Sequence, residues 1–386
     1  VNPLAEAVAD ERLPAAVLDL DAFDANAATL TALARGPATI RVATKSLRCP
    51  AAMRRLLALP RHAGLLTYSA DETRRLAREG FRDLLLAYPV ARRPEAQALA
   101  EAAATGAVVR GVVDCALHVG LLGEVARGAG VTLRLCLDVD ASWRPAGVHV
   151  GVRRSPIRSP DDARRVAEVA RRTEGVVLDS VMAYEAQVAG LRDHTGSPTD
   201  AVRRFLKRRS VPHVAELRRR VVEALRADGH ALVVVNGGGT GSLRSTSEDP
   251  VVTEVTAGSG YYAPHLFDGY DGLRLRPALH LALAVVRSSD PGSYVTCAGG
   301  GVVASGEAGV DRLPVAVWPA GLRPLGMEGW GEVQTPLTGP SLPDVGGVVL
   351  ARPAKAGEAL EHFAEVLVVR GGVITDRWRT YRGLGW

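Results

Sequence analysis

From residue 39 to residue 257 the chain alternates between short apolar runs and longer stretches of helical period. The apolar runs fall at 39–44, 64–68, 83–88, 108–113, 131–139, 176–183, 231–235 and 251–257. Each has the length of a strand buried on both faces. Between them lie segments rich in Ala, Arg, Glu and Leu, at 50–58, 71–79, 94–104, 115–128, 160–173 and 199–227, whose apolar positions recur at helical spacing. Eight strands alternating with helices predict an α/β chain closed into a (β/α)8 barrel. An open doubly wound sheet would read similarly, but the number and spacing of the strands favour closure. After Tyr262 the helical period fades. Runs at 280–286, 294–297, 313–318, 346–351, 364–369 and 372–377, set between Gly and Pro, predict a mostly antiparallel β domain. The run at 14–20 precedes the first barrel unit and is assigned to that β domain, with Asp21 read as the N-cap of a helix over 22–35. The division expected is a barrel over 21–265 and a β domain made of 1–20 plus 266–386.

Composition narrows the classes. With 386 residues, 47% hydrophobic and 23% charged, the chain is an ordinary globular one, long enough for two domains. The net charge is +5, yet the arginines sit inside helical patterns and aromatics make up only 5%, which argues against nucleic acid as a partner. A small phosphate-bearing ligand accounts for the surplus equally well. The four cysteines lack any C-x-x-C spacing, so neither a zinc knuckle nor a disulfide framework is indicated and a reducing cytoplasm is expected. No apolar run has the length of a membrane span, and the first residues lack the pattern of a secretion signal.

The basic residues hold a sharper clue. Of the 47, three are lysine: Lys45, Lys207 and Lys355. Lys45 closes the first barrel run in TIRVATKSLRCP. An amine can lose its proton and attack a carbonyl where a guanidinium cannot. At the other end of the barrel pattern, VVVNGGGTGS brings Asn236, Gly238, Gly239 and Thr240 to the end of a strand. The next strand ends in Gly258, Ser259 and Tyr261. Gly/Ser loops after the last two strands of a barrel are a habitual phosphate site. A carbonyl-binding lysine and a phosphate site in one barrel suit pyridoxal phosphate.

Together the segments AAVLDLDAFDAN, RVATKSLRCP, HVGVRRSP, VMAYEAQVAG, VNGGGTGS, VTEVTAGSGYY, GGGVVASG, DRLPVAVWPAGL and GEVQTPLTG resemble the fold-type III pyridoxal-phosphate enzymes. Within these the resemblance is to the branch of D-threonine aldolase and D-serine dehydratase, related to alanine racemase, and to bacterial amino acid deaminase/aldolase-like chains. The resemblance implies an alanine racemase-like fold, a Schiff base on Lys45 and phosphate loops at Gly237–Ser242 and Gly258–Tyr261. It implies that His149, or Arg144 nearby, meets the pyridine nitrogen and that Tyr184 lies near the cofactor ring. Glu332 and Gln334 are expected to approach from the β domain, and a homodimer is expected.

One departure stands out. The aldolase and dehydratase carry a His-x-Asp or His-x-Cys metal pair late in the β domain, and related deaminase/aldolase-like chains typically read RHAKAGE at that place; this one reads Arg352-Pro353-Ala354-Lys355-Ala356-Gly357-Glu358. Proline offers no ligand and Lys355 a poor one, with His362 a remote substitute, so no metal residues are assigned and the divalent ion (Mn or Zn) is expected to be lost or weakened. Lys355 is an alternative source of its positive charge. The function expected is a pyridoxal-phosphate lyase, aldolase or dehydratase/deaminase in type, acting through Lys45 on a β-hydroxy amino acid of D configuration. The alternatives are a metal-free racemase or epimerase, with Tyr261 or Tyr262 as the base on the second face, and a non-catalytic binder of the cofactor. A sugar-phosphate barrel enzyme is the fallback if Lys45 is structural.

Overall fold

The computed structural model of the chain describes residues 2–289 and 292–384. They fall into two compact units. Leu30–Thr44 with Leu56–Gly258 form the first; the second joins the N-terminal residues through Thr29, Lys45–Arg55 and the residues from Ser259 onward.

In the first unit eight parallel strands close on themselves. Thr39–Ala43, His62–Thr67, Asp83–Leu86, Val108–Val113, Leu133–Asp138, Val176–Ala183, Val234–Gly237 and Glu254–Ala257 pair in chain order, and the seam closes with Thr39 opposite Glu254 and Val42 opposite Ala257. The closed barrel expected from the apolar runs is present. Its helices are bounded by local chemistry. Before Ala70–Arg78, the Ser69 hydroxyl accepts the Glu72 amide at 3.1 Å; before Pro160–Arg172, Ser159 does the same for Asp162 at 3.1 Å. Acids in the first turns and arginines in the last complement both helix dipoles.

The barrel interior is layered. Toward the amino ends of the strands lies an ionic layer. Arg41, 0% exposed, donates to Glu254 at 2.6 Å and to Asp83 at 3.1 Å. Arg110 pairs with Asp83 at 2.9 Å and Asp179 at 3.1 Å, and Arg134 reaches Asp179 at 2.7 Å. Asn236 belongs to this network: its amide donates to Glu254 at 2.8 Å and to Thr256 at 3.0 Å. Asn236, expected among the cofactor-binding residues, thus has its side-chain amide engaged within the barrel. Asn236 lies on a strand and faces inward, one residue before the loop turns. Further along the strands Leu85, Val112, Cys136 and Met182 form an apolar layer.

The second unit is a nine-stranded sheet. Ala15–Asp19 lies between Leu279–Ser288, antiparallel to it, and Glu365–Arg370, parallel to it, so the run at 14–20 joins the β domain as expected. Two strands were not foreseen. Gln334–Thr338 pairs with Val295–Ala298 and with Arg323–Pro324. Their prolines, Pro324 and Pro336, remove a ladder donor and hide the strand pattern. The helix expected over 22–35 also differs: it runs Leu20–Leu33, and Asp19, not Asp21, caps it by accepting the Ala22 amide at 2.9 Å. The strand passes directly into the helix, so its last residue takes the capping position, while Asp21 accepts the Gly371 amide at 2.9 Å. Among the described residues no helix is long and apolar enough to cross a membrane.

Candidate active site

In the second unit the chemistry gathers around Lys45. This residue stands exposed in the tight turn Thr44–Ser46, two positions past the end of a barrel strand. Its backbone is held from several sides. Arg48, in the left-handed region at φ 43°, folds back so that its Nε donates to the Lys45 carbonyl at 3.2 Å, and its Nη1 pairs with Glu361 at 3.0 Å. The Ser259 hydroxyl donates to Ser46 at 2.9 Å and the Tyr262 hydroxyl to the Leu47 carbonyl at 3.2 Å. Gly357 lies so close that a Cβ there would fall 1.8 Å from the Lys45 carbonyl oxygen. The other two lysines have structural partners: Lys207 pairs with Asp193 at 3.0 Å, and Lys355 donates to the Ser305 carbonyl at 2.7 Å.

Tyr261 and Tyr262 do not match the expected role of a second base. Both are 0% exposed, packed on Phe23 with ring centroids 6.0 and 5.6 Å away, and burial pushes both phenols upward. A phenol sealed in this way cannot exchange protons with a substrate.

The segment around Pro353 offers no metal cage. The Pro353 carbonyl accepts the His265 amide at 3.2 Å, Ala354 and Ala356 are buried, and Glu358 accepts the Ser305 amide at 2.7 Å. His362 is exposed, its carbonyl accepting from Arg382 at 2.6 Å. Proline supplies no ligand atom, Lys355 and Glu358 are tied to Ser305, and His362 lies exposed, so the residues present do not form the His-containing pair for the divalent ion that the resemblance implies.

In the first unit the carboxyl ends of the strands carry the remaining candidates. Gly238 adopts φ +81°, a conformation that favours glycine, and Gly239 packs so tightly that a Cβ would meet Ala189 at 3.1 Å and the Tyr184 ring at 3.4 Å. That cradle of small residues beside an aromatic ring fits the phosphate end of pyridoxal phosphate. It is braced from behind by a residue the sequence reading passed over. Glu185 accepts the Gly238 amide at 3.1 Å and the Ser242 hydroxyl at 2.9 Å, also binds Thr246, and is neutralised by buried Arg218 at 3.2 Å. Arg218 in turn meets Asp249 at 2.6 Å. The Gly239 amide donates to Ser242 at 3.1 Å, and Thr240 accepts weakly from the Gly258 amide at 3.5 Å.

Across the same strand ends, Arg154 lies over Tyr184 at 5.4 Å and over Tyr88 at 5.8 Å. Arg154 is the second arginine of HVGVRRSP, a sequence neighbour of Arg144 and His149, on which the expectation fell. Arg144 is exposed and tied to Asp140 at 2.9 Å; His149 is half-buried, with Nε2 3.2 Å from the Val152 carbonyl. Burial and Glu185 push the Tyr184 phenol up to about 12.

Asp138, at the end of its strand, is pushed from 3.8 to about 7 by burial, opposed by Arg154 and aided by Asp114 and Asp140. A raised folded pKa means that the native state holds the proton more tightly. That contribution is complete below 3.8 and disappears as pH rises through about 7. Asp138→Asn, which has no proton to lose, should match the parent near pH 4 and exceed it at pH 8. Three pKa units correspond to about 4 kcal/mol as an upper value. Urea unfolding of both proteins in chelator across this range checks it; a constant difference would show that Asp138 ionises freely in the fold.

Residues 18–264 match the alanine racemase N-terminal domain. The chain belongs to the alanine racemase N-terminal domain family. Within and beyond it, the chain is 27% identical to a D-threonine aldolase of Arthrobacter sp. over 373 residues, covering 95% of this chain and 91% of the relative. It is 25% identical to a 3-hydroxy-D-aspartate aldolase of Paracoccus denitrificans over 247 residues, covering 64% and 59%. In fold it resembles the crystal structure of D-threonine aldolase from Filomicrobium marinum, with TM-score 0.81, 23% identity and coverage of 96% and 95%. It also resembles D-threo-3-hydroxyaspartate dehydratase from Delftia sp. HT23, with TM-score 0.78, 18% identity and coverage of 98% and 100%.

Proposed function

We propose that this member of the family is a pyridoxal-phosphate-dependent lyase of aldolase type, acting on a β-hydroxy amino acid of D configuration. What carries the reading is similarity to a D-threonine aldolase along 95% of the chain, in a sequence that keeps a lysine two residues past its first barrel strand. Pyridoxal phosphate, when bound, supplies an electron sink that loosens the bonds at the substrate Cα. Lys45 is the amine for the Schiff-base linkage and, once displaced by the substrate amine, a proton carrier. The turn Gly238–Ser242, with Gly258 and Ser259, holds the phosphate, Tyr184 flanks the ring, and Arg154 provides a fixed cation. Asp138 titrates in the range useful for proton transfer. In the retro-aldol direction the substrate hydroxyl loses its proton, the Cα–Cβ bond breaks to release an aldehyde, and Cα gains a proton to leave glycine. No step passes through a metal at Pro353, since that segment presents no ligand set. The sealed Tyr261 and Tyr262 count against racemisation. A homodimer working in the cytoplasm completes the proposal.

The test is a panel of D- and L-threonine, serine and 3-hydroxyaspartate, with products separated and quantified. Aldehyde and glycine from the D substrates are expected. Keto acid and ammonia would move the assignment to dehydration, and solvent deuterium entering Cα without net products would move it to racemisation. No product and no spectral change with any substrate would sink the enzyme reading.

A further inference from the structure

The fourth barrel strand, Val108–Val113, ends in a group of side chains with no place in the chemistry above. Asp114, Cys115 and His118 bring one oxygen, one sulfur and one nitrogen within 4.8 Å of one another, and this is the one such group of three or more His, Cys, Asp or Glu donors among the described residues. We infer that these three residues form a binding site for a thiophilic divalent cation of the zinc class, separate from the segment where the family's metal is expected.

Three observations support the site. His118 Nδ1 is buried and makes no hydrogen bond, although Asp114 Oδ1 lies 3.0 Å away. The two pair as ions only when the imidazole is protonated; with a neutral ring both atoms are open to a shared cation. Cys115 sits at the N-cap position of Ala116–Gly128, yet its side chain caps nothing. It is also the one cysteine of the four that is not buried, Cys49, Cys136 and Cys297 being enclosed.

The donor set favours the metal class. Mixed sulfur, nitrogen and oxygen donors suit zinc-like ions better than the hard oxygen-seeking cations. In a tetrahedral site with bonds of about 2.0–2.3 Å the ligand atoms stand about 3.3–3.8 Å apart, so small side-chain rotations within the present spacing complete it. Three protein ligands leave a fourth position for water or for an oxygen of a small molecule, the pattern of a catalytic rather than a structural ion. The site also lies at the carboxyl ends of the strands, where barrel enzymes gather their reactive groups.

The test uses the cofactor-loaded protein stripped with chelator, then supplied with Zn²⁺ or Co²⁺ alone. One equivalent of metal per chain is expected by elemental analysis after dialysis. The Co²⁺ difference spectrum should show a thiolate-to-metal charge-transfer band. Cys115→Ser should lose that band, and His118→Ala should weaken binding by at least about tenfold. Circular dichroism identifies a variant that has not folded, and Asp114→Asn, which is the least disruptive change, should weaken binding by a similar factor. The inference is overturned if no metal binds, if Co²⁺ binds without the thiolate band, or if the band survives in folded Cys115→Ser.

Discussion

Replacing Lys45 by alanine should abolish the visible absorption expected of pyridoxal phosphate bound as a Schiff base, and with it turnover of D-β-hydroxy amino acids. Loss of the proton-carrying amine alone accounts for about 10²–10⁴-fold in rate, before loss of the covalent linkage is considered. Lys45→Arg should fail equally: it keeps the charge but cannot give up the proton or form the linkage. Because Lys45 is exposed in its turn, neither change should alter stability by more than about 0.5 kcal/mol. Spectroscopy and thermal melting of the same samples therefore separate lost chemistry from lost fold. Survival of the band in Lys45→Ala would transfer the role to another amine and remove Lys45 from the site.

Gly357→Ala is expected to damage the same chemistry from a distance. Gly357 has ordinary helical backbone angles, φ −63° and ψ −44°, so its constraint is space alone. The added methyl would stand 1.8 Å from the Lys45 carbonyl oxygen, and ordinary contact requires a retreat of about 1.5 Å. Misplacing a reacting group by about 1 Å costs on the order of 10²-fold in rate, and overpacking of this kind about 1–3 kcal/mol in stability. The variant should keep the cofactor but show a lower kcat and a shifted pH titration of the bound-cofactor band. A merely structural glycine would lose stability and leave that titration unchanged. Gly120→Ala, in the helix Ala116–Gly128 with nothing within 4 Å of the added methyl, is the control: it should leave that titration unchanged and lose no stability, since alanine favours a helix over glycine by up to about 1 kcal/mol.

The barrel was legible because its strands are continuous apolar runs and its helices keep a helical period. The sheet was less so. Pro336 and Pro324 interrupt the strands that they belong to, and a proline in a run reads as a break rather than as an edge. At the site, Lys45 and the glycine turn stood out by residue type. Glu185 and Arg218 did not, because a buried carboxylate and its arginine look in sequence like any surface pair, and 33 residues separate them. Arg154 was hidden by its neighbours: Arg144 and His149 fitted the family's motif spacing better, while stacking on Tyr88 and Tyr184 depends on positions that only the folded strand ends bring together. The clamp on Lys45 was also invisible, since Arg48 needs its left-handed turn and Gly357 its distant loop before either reaches the lysine backbone.

The ionic layer inside the barrel acts as a proofreading device for assembly. A purely apolar interior tolerates a strand slipped along its neighbours, because one branched side chain replaces another. Here a slip at the closing seam would tear Arg41 from Glu254 and leave a guanidinium stranded in the dry interior, a penalty of about 3–5 kcal/mol for a single broken pair. With Asp83 shared between Arg41 and Arg110, and Asp179 between Arg110 and Arg134, a misregistered strand forfeits several partners together. By this reasoning the charges add little to the depth of the native state and more to the uniqueness of its strand register, which would deliver the carboxyl ends of the strands to one constellation.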